Sequence, residues 1–361
     1  MSGERWPLLH EAVAAMPAPF GSVQAEGLEE ELKAAYGVSH AIGVSSGTAA
    51  LHSALIGCRA GPGTEVLIPA FTVVMTVAAI VATGARPVFV DTHPDGFGLD
   101  LDDADAKRTA QTIALLPVHV GGRTGDLAAA RDFTHHAGIR LVEDACQAQG
   151  SRWRSRPVGT VGDVGCFSMK DGKILSCGEG GYILTDDPLI AAGAAAFRTH
   201  WQTGTPAHPP GHRLGHNLRL AEPLAALARH SLATRDAALT RRREQTDLLT
   251  TLVGDLPGLA PIPATPGEDP NGYAALWRIE RPRPRELCQR LAAAGVVNAI
   301  GTFGLRAAHT HPACQTLDPA ACPRAEALIN SLLSVPVTSA DDDERIGQIA
   351  KLIRTEVTAW H

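Results

Sequence analysis

Between about residue 23 and residue 185, short apolar runs alternate with helical patterns, and this alternation constrains the fold more than any other feature of the chain. The runs are AIGV (41–44), EVLIPA (65–70), PVFVD (87–91), TIALLPV (112–118), RLVED (140–144), DVGCFS (163–168) and GYILTD (181–186). Strands separated by helix-length segments predict an α/β fold, a mainly parallel sheet covered by helices. Most of the runs end near Gly, Pro, Ser or Asp before a helical pattern opens. Polar residues therefore collect at the carboxyl ends of the strands, the edge at which open α/β sheets bind ligands.

Residues 187–253 read as mostly helical, clearest in AEPLAALARHSLATRDAALTRRREQTDLLTTLV. A polar interruption at 200–217, HWQTGTPAHPPGHRLGHN, is too long to be mere connection. After the Pro/Gly-rich DLPGLAPIPATPGEDPNG (255–272) come a strand AALWRIE, a helix RELCQRLAAAG, a second strand VVNAI and a terminal helix DDDERIGQIAKLIRTEV. The expected organisation is an N-terminal arm (1–22), a large domain (23–235) and a smaller C-terminal α+β domain (236–361).

A chain of 361 residues can house two subdomains around one site. Its formal charge is −6, and the longest basic run, Arg241-Arg242-Arg243, sits inside a helical pattern. The basic face of a nucleic-acid binder is therefore missing. The seven cysteines form no Cys-x-x-Cys pair and read as reduced thiols. The first twenty residues lack the basic start and apolar core of a signal peptide, and no apolar run is long enough to span a bilayer. A cytoplasmic enzyme of small-molecule chemistry is expected. His208, His212 and His216 are evenly spaced, but no carboxylate or thiolate cluster completes a set, so no metal site is expected.

Four local patterns point to one phosphate-bearing cofactor. In SSGTAALHSAL (45–55) a strand leads through Ser-Gly-Thr into a helix, so the N–H groups of Thr48 and Ala49, beside Gly47, lie where a phosphate is favoured. In VEDACQAQG (142–150) Asp144 ends an apolar strand, where a carboxylate can pair with a protonated ring nitrogen or merely cap a helix. Gln147 follows one helical turn later. In DVGCFSMKDGKILSCGEGGYILTD (163–186) a strand delivers Ser168, and Lys173 stands in the following loop beside a glycine-rich turn. A lysine that bonds covalently to a carbonyl needs access and a loop position; Lys170 is its competitor. In GHNLRLAEPLAALA (215–228) Asn217 and Arg219 stand just before a helix.

Taken together and in this order, these patterns resemble the DegT/DnrJ/EryC1/StrS family of keto-sugar and keto-cyclitol aminotransferases. The resemblance runs from LEEELKAAYGVSHAIGVSSGTAAL to LLSVPVTSADDDERIGQIAKLI. It implies a type I aminotransferase fold, with a large domain around a seven-stranded sheet, pyridoxal 5′-phosphate as cofactor, and a homodimer with shared active sites. Lys173 matches the lysine that bonds the cofactor, Asp144 the partner of the pyridinium nitrogen, and Gln147 the residue beside the phenolic oxygen. Gly47, Thr48, Ala49 and Ser168 fall in the phosphate-binding positions, and Asn217 matches an asparagine that reaches the phosphate from the neighbouring subunit. His119, past a strand end, and Arg219 are candidates for the substrate side. The implied reaction moves an amino group from glutamate or glutamine to a ketone on a keto-cyclitol or keto-sugar, in secondary-metabolite biosynthesis. The alternatives are decarboxylation, elimination or C–C bond chemistry on the same cofactor, or a non-catalytic cofactor-binding regulator. Two departures stand out. Val73 replaces the aromatic residue that usually follows PAFT, and SMKDGKILSCGEGG lacks the Phe-Pro-Thr of sugar-nucleotide enzymes and lies closer to the branch acting on inososes and aminodehydroshikimate-type rings.

Overall fold

A computed structural model describes residues 23–94, 96–318 and 321–360; the expected arm (1–22) lies outside them. The seven apolar runs form the seven strands of one sheet: β1 (His40–Val44), β2 (Glu65–Pro69), β3 (Arg86–Val90), β4 (Thr112–Leu115), β5 (Arg140–Asp144), β6 (Val164–Ser168) and β7 (Gly181–Thr185). Their order is β1-β7-β6-β5-β4-β2-β3, and β7 alone runs antiparallel to its neighbours. Alternation assigns side chains to the two faces. Ile42, Val44, Cys166 and Ile183 join one core cluster, while Ala41, Phe167, Tyr182 and Leu184 join another. On the second face the Phe167 and Tyr182 rings stack with centroids 4.5 Å apart. Both faces are covered, which is why the strands read as apolar runs rather than as alternating ones.

The covering helices begin where short polar residues cap them. Asp126 accepts from the N–H groups of Ala128 and Ala129 ahead of helix Leu127–Ala137, and Asp187 accepts from Leu189 and Ile190 ahead of helix Pro188–Arg198. The long helical pattern breaks at Thr234. The first piece, Glu222–Ala233, packs on helix Val23–Tyr36, and the second, Arg235–Val253, packs on the last helix, Asp343–Thr358. The loop at 200–217 is organised by Trp201, which is buried against Phe197 and donates from Nε1 to the His208 carbonyl. His208, His212 and His216 are all exposed in it.

The C-terminal segment carries a three-stranded antiparallel sheet of β8 (Leu259–Pro261), β9 (Ala274–Ile279) and β10 (Leu332–Pro336), in that order. The strand expected at VVNAI does not form. Asn298 donates to the carbonyls of Cys288 and Val296 and accepts from Gly301 N–H, which curls the segment into a turn, and LLSVP takes its place as the edge partner of β9. All seven cysteines are unpaired. Among the described residues no helix is long and apolar enough to cross a membrane.

A short strand, Glu268–Asp269, returns to pair with Arg152–Trp153 beside the large sheet. Glu268 holds this return in place. Its carboxylate is bonded by Arg123 (2.7 and 2.9 Å) and by the N–H groups of Thr124 (2.6 Å), Gly125 (2.9 Å) and Thr265 (2.9 Å). Burial pushes its pKa up, but Arg123 and these hydrogen bonds outweigh burial and hold it at about 2, below the ordinary 4.5. A depressed value means that the stabilisation is complete above pH 4.5 and is lost as pH falls toward 2. Glu268→Gln leaves Arg123 buried without its anion. It is expected to destabilise the protein by roughly 3 kcal/mol at neutral pH, and urea unfolding should show the gap to wild type closing as the pH is lowered through that window.

Candidate active site

At the carboxyl edge of the large sheet a cavity of about 600 Å³ opens toward the C-terminal segment. Its floor comes from strand ends and its walls from loops. Asp144 closes β5, Ser168 closes β6, and the helix Gly47–Gly57 starts directly after β1 with Gly47 and Thr48 at the rim. Thr72, Val73, Val74 and Met75 form one wall; Tyr273, Leu276, Phe303, Leu305 and Arg306 form the other.

Asp144 is 3% exposed and has no cationic partner among the described residues. Its carboxylate accepts from Thr76 Oγ1 at 2.7 Å and from Cys146 N–H at 3.1 Å. Both donors are neutral, so no counter-charge for this buried carboxylate lies among the described residues. A cation delivered by a ligand, such as a protonated pyridine nitrogen, meets that need. The neighbouring Cys146 thiol is pushed well above its ordinary value by burial and then by the Asp144 charge, so it stays neutral.

Gln147 is oriented by the chain. Its Oε1 accepts from Gly121 N–H at 2.8 Å, which leaves Nε2 as the donor end in the cavity lining. Gly121 can present that N–H because it sits at φ +67°. Ser46 caps the helix Gly47–Gly57 and occupies Ala49 N–H at 3.0 Å. A Cβ on Gly47 would lie 2.8 Å from Ser168 Cβ and 2.9 Å from Cys146 Sγ, so only glycine lets the helix start come this close to the two strand ends. The helix N-terminus and the Ser168 hydroxyl thus face one space, suited to a phosphate. Ala49 is buried and not in the lining.

Lys173 lies in the β6–β7 loop, half-buried, with Nζ donating to Tyr273 Oη at 3.3 Å and 4.7 Å from the centroid of the same ring. Lys170 also lines the cavity, but it is exposed. Asn217 and Arg219 are exposed and are not in the lining of this chain's cavity; among the described residues their backbones bridge to Thr199 and Val44. His119 does not reach the cavity. It is fully buried, with Nε2 3.1 Å from Glu143 Oε2 beneath the sheet edge. Burial pushes Glu143 up, yet the bonds from His119, Gly159 and Gly162 hold it below the ordinary carboxylate range. The sequence reading missed Tyr273 and Asn271. Asn271 donates to the carbonyls of Gln147 and Gln149 and accepts from Tyr273 N–H, so it fixes the phenol opposite the Gln147 loop. Asn271 lies in the stretch read as a Pro/Gly-rich boundary and Tyr273 directly follows it, where no local pattern marks either.

The model of the DegT/DnrJ/EryC1/StrS aminotransferase family matches residues 21–354. This chain belongs to that family. Family members are pyridoxal-phosphate-dependent, and the chain is an aminotransferase with the type I fold. It is 36% identical over 316 residues to dTDP-3-amino-3,4,6-trideoxy-alpha-D-glucose transaminase of Streptomyces venezuelae, covering 86% of this chain and 81% of that one. It is 35% identical over 245 residues to L-glutamine:2-deoxy-scyllo-inosose aminotransferase of Streptomyces kanamyceticus, covering 65% and 57%. The crystal structure of 3-amino-5-hydroxybenzoic acid synthase superposes with a TM-score of 0.87 at 27% identity, covering 99% of this chain and 97% of that one. The family's cofactor fits the cavity: Asp144 lacks a cation, Lys173 has access, and the Gly47 cradle excludes even a Cβ.

Asp144→Asn should fold, because it removes an uncompensated buried charge while keeping the shape. Its unfolding midpoint without cofactor is expected to equal or exceed that of wild type. Conversion of the bound cofactor by an amino donor, followed by absorbance, is expected to slow by about 10²-fold or more.

Proposed function

We propose that the chain transfers an amino group from glutamate or glutamine to a ketone on a small ring, a keto-cyclitol or a related keto-sugar, within secondary-metabolite biosynthesis. The observation that carries this reading is the unpaired Asp144 carboxylate in the same cavity as Lys173. Pyridoxal phosphate, bonded to the substrate's nitrogen, supplies the electron sink that makes the Cα proton removable. Asp144 keeps a ring nitrogen charged. Lys173 would hold the cofactor, and its Nζ, which donates to Tyr273 Oη, would once freed move the proton from the donor's Cα to the cofactor's C4′. Gln147 would donate from Nε2 to the cofactor's ring oxygen, and Thr48 and Ser168 would hold its phosphate. The enzyme works in the cytoplasm as a homodimer, with Asn217 of each chain completing the partner's phosphate site and Arg219 serving the substrate side. The large domain (23–235) supplies the floor and the smaller domain (236–361) the outer wall.

A small acceptor is favoured by the lining itself. Besides Lys173, the described lining offers only Lys170, Arg306 and His311 as basic side chains, whereas a nucleoside diphosphate calls for convergent basic groups or amide nests. The relatives' names span both classes, a nucleotide-linked sugar and a free inosose. Borohydride treatment of the yellow protein followed by peptide mass spectrometry should place the cofactor on Lys173 and not on Lys170. With the cofactor in its amine form, free keto-cyclitols are expected to restore the original spectrum more efficiently than nucleotide-linked keto-sugars. Restoration by nucleotide-linked sugars alone would overturn the acceptor assignment and leave the aminotransferase intact.

The shared site has its own test. Hybrids of inactive Lys173→Ala and inactive Asn217→Ala chains are expected to regain part of the activity, because one of their two sites has both groups intact. Verified hybrids without activity would rule out a contribution across the interface.

A further inference from the structure

Helix Arg235–Val253 points one cation at the back of the Lys173 loop. Arg242 is 1% exposed, and its Nε has no hydrogen-bond partner among the described residues. Among the described residues it makes no ion pair, and Asp341 attracts it only from a distance. Desolvation lowers its pKa to about 10, against the attraction of Tyr273 and Asp341, so it remains charged at neutral pH. A buried guanidinium without an anion is expensive, and a helix of a purely structural kind would carry an apolar residue there.

The position of Arg242 shows what it reaches. Nη2 donates to the carbonyl of Gly172, the residue directly before Lys173, and Cζ lies 5.8 Å from the centroid of the Tyr273 ring. Gly172 sits at φ +84°, a left-handed turn that sets the direction in which the next side chain leaves the backbone. Lys173 Nζ in turn donates to Tyr273 Oη. One planar group therefore touches both supports of the lysine: the turn beneath its Cα and the ring beside its Nζ. Arg242 is anchored on its own side as well, since its carbonyl accepts from Thr246 Oγ1, which also donates to the carbonyl of Gly272, next to Tyr273.

We propose that Arg242 is a positioning residue for the amino-transfer reaction, its guanidinium locking the Gly172 turn and the Tyr273 ring so that Lys173 Nζ is held in reacting geometry. The proposal rests on the assignment of Lys173 as the cofactor lysine. A planar group that bonds a carbonyl and faces a ring at once is not reproduced by an ammonium, which can reach the carbonyl or face the ring but not do both in the same way.

The test compares Arg242→Gln, Arg242→Lys and Leu249→Ala in the cofactor-loaded protein. Leu249 is a fully buried core residue on the same helix, with no part in the site, and controls for stability. The readouts are single-turnover conversion of the cofactor by a saturating donor, the donor concentration for half-saturation, the visible circular dichroism of the bound cofactor, and thermal unfolding. Arg242→Gln is expected to slow turnover per folded molecule by about tenfold to a hundredfold and to alter the dichroism, with the half-saturating concentration changed far less than the rate. Arg242→Lys should fall between it and wild type. Leu249→Ala should unfold earlier yet retain the wild-type rate and dichroism per folded molecule. The proposal is overturned if the rate and dichroism of Arg242→Lys equal those of wild type, or if Leu249→Ala at matched stability reproduces the loss. Should Arg242→Gln not accumulate as folded protein, the Arg242→Lys comparison decides alone. A wild-type protein that takes up no cofactor, or that carries it on another lysine, overturns the underlying assignment as well, and this is seen before any variant is compared.

Discussion

A carboxylate kept in the protein interior without a counter-charge is the constraint on which the site depends, and β5 shows how deliberately it is placed. The strand ends in two adjacent acids, Glu143 and Asp144, which the strand's alternation sends to opposite faces. Glu143 is fully answered by the fold: His119 meets one oxygen, and the N–H groups of Gly159, Val161 and Gly162 supply three more bonds. Asp144, equally buried, receives one hydroxyl and one amide. The fold therefore satisfies one acid itself with hydrogen bonds and leaves the other with two neutral donors at the cavity.

The cavity's second half is attached to the first by polar bonds rather than by sheet continuity. Arg123 with Glu268, and Asn271 with the carbonyls of Gln147 and Gln149, fasten the segment 268–273 to the loops that follow β4 and β5. Tyr273 is delivered to Lys173 by this attachment and by the start of β9. The contrast between Arg123 and Arg242 repeats that between Glu143 and Asp144. Arg123 is paired inside the protein, whereas Arg242 donates to a backbone carbonyl and lies beside the Tyr273 ring, next to Lys173.

Much of this was legible in the chain, because the large sheet is buried on both faces and each strand is consequently a run of apolar residues ended by a polar one. The same property placed Asp144, Ser168 and Lys173 at one edge, since their positions follow from where strands stop. VVNAI was misread because an apolar run alone does not make a strand; the Asn298 side chain bonds its own neighbours and turns the backbone away, and LLSVP pairs instead. Tyr273, Asn271 and Arg242 could not be read, because their importance comes from contacts made across 70 to 124 residues of sequence, as in the bond from Arg242 to Gly172 or from Asn271 to Gln147. His119 looked like a cavity residue because it follows a strand end, yet its ring turns into the core toward Glu143.

Val73 gives the remaining step. The wall beside it is aliphatic and sulfur-bearing, made of Val73, Val74 and Met75, with Val120 also in the lining. A flat aromatic plate fixes a bound ring's plane through its face, whereas small branched side chains give contact area with little angular preference. With Val73 in place of an aromatic residue, a bound ring would be oriented from its edges, by Asp144, Gln147 and the Gly47–Ser168 cradle, all in the cavity lining. Asp144 and Ser168 end strands, Gly47 starts a helix, and Gln147 stands in the loop after β5, so these groups gather along one edge of the large sheet.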